Sequence, residues 1–220
     1  MNKALVILWK DALSEFRARE LVPSVLVFAL LVIVIFHFAF ELGAERARSV
    51  APGILWVTFT FAGVLGLNRS FAQEKERGSL AGLVLCPVDS DTIYLGKMLS
   101  SLMFMLIVEA IILPIFSILF NLFVFMPELA VIAVLATVGF ASVGTLFSAL
   151  AVNTKTREIM LPILFFPIVS PVIIAAVKAT ELALAGGSWA NLSSWLEIIG
   201  TFDIIFLVVA SLVFEFVIEE

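Results

Sequence analysis

The chain has 220 residues, 62% of them hydrophobic, with a formal net charge of −5 and a mean hydropathy of +1.18; soluble domains are only about 45–50% apolar. This composition defines a polytopic membrane protein, in which charge acts through its sidedness rather than its sum. A single cysteine, Cys86, excludes an internal disulfide, and a single histidine, His37, excludes a multi-histidine metal site.

Residues 1–20 are polar but patterned, with Leu5, Leu8, Trp9, Ala12, Leu13 and Phe16 at helical spacing among charged residues. The spacing predicts an amphipathic helix lying in the inner membrane interface, with Trp9 and Phe16 toward lipid. A plain cytoplasmic tail is the alternative. The apolar run that starts near Leu21 is too long for the core of a cleavable signal peptide. Apolar stretches predict six spans, at about 21–40, 50–67, 98–120, 129–152, 159–177 and 199–217, each close to the roughly 20 residues a bilayer core requires. The whole of 1–220 reads as one all-α transmembrane domain without repeats or linkers.

Between the second and third spans lies a mixed-charge stretch, residues 68–97, carrying Arg69, Glu74, Lys75, Glu76, Arg77, Asp89, Asp91 and Lys97. It must sit in water. It reads as a short helix over Arg69–Arg77, a break at Gly78, a second short helix over Ser79–Leu85 and a stop at Cys86-Pro87. Asp89, Ser90 and Asp91 then mark the next helix start. A helical loop has a docking surface, so the stretch is expected to be the cytoplasmic coupling loop on which a separate ATPase acts. Leu80, Leu83, Val84 and Leu85 form its apolar ridge, flanked by Arg69, Glu76 and Arg77. The alternative is a solvated connector. Residues 178–198, with Trp189 and Trp195, read as an outer-face interfacial or re-entrant segment.

Lys and Arg are distributed unevenly among the loops. The N-terminal arm, residues 68–97 and the 153–158 turn hold ten, whereas the opposite side has Arg46, Arg48 and Lys178. The positive-inside rule therefore places both termini and the large loop in the cytoplasm.

Glu109 lies deep in the third span, where an acid costs about 2.5–3.5 kcal/mol on insertion scales and faces protein or water. It is a candidate transport-path residue, or else a protonated carboxyl bonded to a neighbouring helix. His37, among Phe36, Phe38 and Phe40, reads either as an interfacial residue or as a haem ligand. Pro162, Pro167 and Pro171 in the fifth span and Pro114 in the third predict kinks that serve gating or static shape. Ala133, Thr137, Ala141, Thr145 and Ala149 form a small-residue face for close helix packing. The G-x-x-x-x-G-K-[ST], H-E-x-x-H and G-x-S-x-G patterns are all missing from the sequence, which leaves no P-loop, zincin or hydrolase reading.

Particular strings resemble the CcmB family, haem exporter protein B, the ABC permease subunit of cytochrome c maturation systems. They are Ala51-Pro52-Gly53-Ile54-Leu55-Trp56-Val57, Arg69-Ser70-Phe71, Glu76-Arg77-Gly78-Ser79-Leu80, Leu85-Cys86-Pro87 and Tyr94-Leu95-Gly96-Lys97, with the proline-rich fifth span. The resemblance covers essentially the whole chain and is strongest over residues 51–97. It implies an ABC-2-type, type V exporter-like permease of the bacterial inner membrane, without its own ATPase site. It also implies partners: an ATP-binding subunit, haem-handling C and D subunits, a haem chaperone and a second copy of this chain. Haem belongs to the assembled complex; no cofactor or metal is expected on this chain, which has one histidine and no W-W-D string. On this resemblance the ATPase-coupling residues are Arg69, Glu76, Arg77, Gly78, Leu80, Leu83, Leu85 and Pro87, with Trp56 and Glu109 in the transport path or a partner contact. The output is haem export or, in better accord with the missing haem pocket, release of haem-loaded chaperone. Two other readings are an exporter of lipid, drug or polysaccharide with the same architecture, against which the 51–57 string argues, and a non-transporting scaffold that recruits an ATPase.

Overall fold

The computed structural model describes residues 3–18, 21–40, 44–76, 82, 88–152 and 157–218. These form seven helices: α1 (Lys3–Ala18), α2 (Leu21–Phe40), α3 (Ala44–Glu76), α4 (Ser90–Phe120), α5 (Pro127–Val152), α6 (Arg157–Leu184) and α7 (Trp189–Ile218). Six of them, α2 to α7, are long and apolar enough to cross a bilayer, and no strand occurs among the described residues.

Backbone groups in hydrocarbon must be satisfied within the helix, and two hydroxyls of α3 fold back onto their own helix. Thr58 donates to the Ile54 carbonyl at 2.7 Å and Thr60 to that of Trp56 at 2.6 Å. In α6, Pro171 has no N–H for the carbonyl four residues earlier, that of Pro167. The Ser170 hydroxyl fills the gap, donating to the Pro167 oxygen at 2.9 Å. α6 runs continuously through Pro162, Pro167 and Pro171.

Helices α3 and α5 occupy the centre. α5 packs against α3, α4, α6 and α7, while α2 lies at the periphery on α3 and α4. The centre is aromatic: Trp56, Phe59, Phe116, Phe140 and Phe165 are fully buried. Small residues let helices reach α5 from several sides, and Ala133, Thr137, Ala141, Thr145 and Ala149 are all buried there. A second core joins Ile7 of α1, Phe71 of α3, Tyr94 and Met98 of α4, Leu146 of α5 and Phe214 of α7 at the end of the bundle that carries α1. Large apolar side chains on the outside, such as Ile118, Phe38 and Phe216, are exposed in the isolated chain and face the lipid.

Several helices outrun the predicted elements. α3 continues to Glu76, so 69–76 prolongs the second span and is not a separate short helix. No glycine or proline interrupts Asn68–Glu76, and Gln73, Glu74, Lys75 and Glu76 are good helix formers. α4 starts at Ser90 with Asp89 as N-cap, extended at φ −64° and ψ 142° and without a side-chain capping bond. Residues 178–198 are not a separate element either. Lys178–Leu184 ends α6, and Trp189–Ile198 begins α7. The break falls at Gly186, whose φ of +79° permits a Schellman turn. There the Gly187 N–H donates to the Leu182 carbonyl at 2.9 Å and the Gly186 N–H to that of Ala183 at 3.0 Å.

Candidate functional site

Two groups of polar residues are buried in this apolar molecule. The first flanks the middle of α5. Glu109 on α4 is 3% exposed, and its Oε1 lies 2.7 Å from the Thr137 hydroxyl, which is also 2.7 Å from the Ala133 carbonyl oxygen. A hydroxyl has one proton and cannot donate to both. The arrangement that satisfies both contacts is a neutral Glu109 donating to Thr137, which donates to Ala133. Oε2 has no hydrogen-bond partner among the described residues. Glu109 lines a narrow crevice between α3 and α4 together with Phe59, Ala62, Gly63, Phe104, Met105 and Val108.

Asp203 on α7 faces the same helix from another side. It is 4% exposed, and neither carboxyl oxygen has a hydrogen-bond partner among the described residues. A side chain at Gly139 would begin 2.6 Å from its Oδ1, so only glycine leaves room for the acid. Thr137 and Gly139 are two positions apart, roughly 200° around the axis at 3.6 residues per turn. Two acids from α4 and α7 therefore flank the middle of the central helix. Asp203 was missed by the reading of the sequence, although an acid inside an apolar span is the same signal that marks Glu109.

The second group lies at the end that carries α1. Lys97, expected in a solvated loop, is 3% exposed, and Asp11, on the polar face of the predicted amphipathic helix, is 7% exposed. Lys97 Nζ donates to Asp11 Oδ2 at 2.9 Å, Lys10 Nζ lies 2.8 Å from Oδ1, and the Phe71 ring centroid is 5.9 Å from Lys97 Nζ. Burial opposes the charge on Asp11, but the ammonium groups of Lys97 and Lys10 outweigh it and hold the carboxyl below its ordinary value. The apolar residues of α1 divide between two faces. Ala4, Ile7 and Ala12 are buried, whereas Leu5, Val6, Trp9 and Leu13 are exposed.

The Tyr94-Leu95-Gly96-Lys97 run supplies most of this group. The Tyr94 hydroxyl lies 2.8 Å from the Ser142 hydroxyl of α5. Gly96 lets α1 cross closely, since a Cβ there would lie 2.8 Å from the Ile7 Cβ and 3.1 Å from the Ala4 carbonyl oxygen.

Trp56 is completely buried, and its indole N–H donates to the Thr180 hydroxyl at 2.9 Å. It is an internal tie from α3 to α6, with no surface left for a partner in this conformation. His37 packs edge-on against Phe120 at 5.4 Å and Phe38 at 5.5 Å. Among the described residues, no three His, Cys, Asp or Glu side chains converge as a metal site requires. Arg69 and Glu76 lie in the last turns of α3. Arg77, Gly78, Leu80, Leu83, Leu85, Cys86 and Pro87 lie outside the described residues.

Six helices long and apolar enough to cross a membrane, two of them, α3 and α5, at the centre, with polar groups kept for the interior, define a multi-pass helical membrane protein. Residues 2–219 match the profile of the CcmB protein family, and the chain belongs to that family. It is similar to the Heme exporter protein B of Pseudomonas aeruginosa, 27% identical over 186 residues, which cover 84% of this chain and 83% of that one. It is 29% identical to the Heme exporter protein B of Rhodobacter capsulatus over 166 residues, 73% of this chain and 74% of the relative. With the Heme exporter protein B of Paracoccus denitrificans it shares 28% identity over 185 residues, 84% of each chain.

Proposed function

We propose that this chain is the transmembrane subunit of an ABC transporter for cytochrome c maturation in the bacterial inner membrane, with both termini and residues 68–97 in the cytoplasm. A separate ATP-binding subunit docks on the loop, and its hydrolysis cycle drives release of haem-loaded chaperone at the outer face. Haem-handling C and D subunits and a second copy of this chain complete the assembly. The single observation that carries this reading is the family match over residues 2–219. Relatives named for haem export add to it. Charge sidedness supports the orientation: Lys178 sits near the end of α6 remote from α1, exposed and 2.9 Å from Glu181, while α1 and the 68–97 stretch share the more basic end.

Side-selective cysteine labelling tests the orientation. A cysteine in place of Glu76 should react only from the cytoplasmic side; selective labelling from outside contradicts the orientation. ATP-dependent release of haem-loaded chaperone from the reconstituted complex tests the output. Release should need this subunit with its loop intact, and release at the normal rate without the subunit contradicts the role.

A further inference from the structure

We propose that Asp11 and Lys97 are positioning residues that bind α1 rigidly to α4, the helix that follows the coupling loop, so that α1 travels with the loop when the ATP-binding subunit pushes on it. This rests on the docking role assigned to residues 68–97 above. α3 ends at Glu76 and α4 begins at Ser90, and α1 packs on α4. Phe71, near the end of α3, is buried beneath Lys97. Gly96 brings the backbones of α1 and α4 within contact, through Ala4 and Ile7. One residue further, Lys97 reaches Asp11 at 2.9 Å with both side chains at least nine-tenths buried.

Parting α1 from α4 would strand opposite charges in an apolar setting, the most costly way to break such a contact. The two helices therefore move as one body. The face of α1 turned away from the bundle carries Leu5, Val6, Trp9 and Leu13, all exposed, and such a face rides in the lipid interface. An amphipathic helix lying passively on the membrane would need no buried ion pair on its protein side. This one pairs an acid with a lysine 86 residues away.

The test uses the assembled complex in native membranes. Asp11→Asn and Lys97→Met should each keep the ATP-binding subunit bound yet lower cytochrome c yield about tenfold, and the exchange Asp11→Lys with Lys97→Asp should recover much of that loss. Full yield in the single variants, or no recovery in a normally folded exchange variant, overturns the proposal. A second measurement holds even if these variants fold poorly. In a Cys86→Ser background, spin labels replace Val6 on α1 and Leu95 on α4, both exposed. Their separation should be the same with and without ATP in the coupled complex; a nucleotide-dependent change in that separation shows that α1 leaves α4, and overturns the proposal. Loss of the docking role itself has a different signature, an ATP-binding subunit that stays bound when the loop's leucines are made acidic.

Discussion

The indole N–H of Trp56 donates to the Thr180 hydroxyl at 2.9 Å, joining the central helix α3 to the proline-rich α6. Phe59 and Phe140 stand edge-on to the same indole, at 5.7 and 6.2 Å. The tryptophan is thus a strut between helices. Trp56→Phe keeps most of the volume and loses one hydrogen bond, which should cost about 1 kcal/mol. Trp56→Ala leaves a cavity and should cost about 3–5 kcal/mol. Unfolding in detergent measures both, and an alanine variant as stable as the parent contradicts the strut.

Glu109→Gln preserves a donor for Thr137, because the amide N–H can replace the carboxyl proton in the relay to the Ala133 carbonyl. The variant should insert and fold normally while lowering cytochrome c yield, since an amide cannot gain or lose a proton as a carboxyl can. Normal yield would retire the acid's part in the mechanism and leave it a packing residue.

Asp203 has no such relay. With two buried oxygens lacking hydrogen-bond partners among the described residues, its removal should relieve a penalty of about 1–3 kcal/mol. Asp203→Ala is expected to raise the unfolding temperature of the isolated subunit. A fall would show that the carboxyl has a partner, and binding to the other subunits would then be measured on the same variant.

The lowered pKa of Asp11 fixes the sign of a pH effect. A carboxyl held below its ordinary value of 3.8 stabilises the docked α1 fully above that value, and the contribution disappears as pH falls through the lower folded value. Spin labels replacing Val6 on α1 and Leu95 on α4, both exposed, should report one narrow distance from neutral pH down to 3.8 and a broad one in stronger acid. Asp11→Asn should be broad throughout. Broadening of the parent near neutrality contradicts the assignment to Asp11, whose charged neighbours here are Lys97 and Lys10.

The six spans were legible because bilayer length and hydropathy suffice to mark them, and Glu109 stood out as an acid in an apolar run. Helix ends were less legible. Nothing in Asn68–Glu76 breaks a helix, so α3 runs on where polarity alone suggested a new element. Trp189–Ile198 looked interfacial because of its tryptophans, yet it is continuous with α7. Asp203 fell close to the predicted start of a span, where acids are ordinary. The Asp11–Lys97 pair could not be read locally at all: each residue sits in a polar run that suggests solvent, and only the crossing at Gly96 brings them together.

Docking of the ATP-binding subunit on the 68–97 stretch is the claim on which the rest depends. Coupling requires contacts that differ between nucleotide states, and the proposed ridge of Leu80, Leu83, Val84 and Leu85 offers the apolar surface for them. Replacing Leu83 and Leu85 with aspartate would place unpaired charges in a buried interface, which is strongly unfavourable. Co-purification of the ATP-binding subunit from solubilised membranes measures this directly. The ATP-binding subunit should be lost from the double variant, with the permease itself present at normal yield. Retention of the ATP-binding subunit at the parental ratio would contradict the account and move the docking surface elsewhere, with α1 the next place to look.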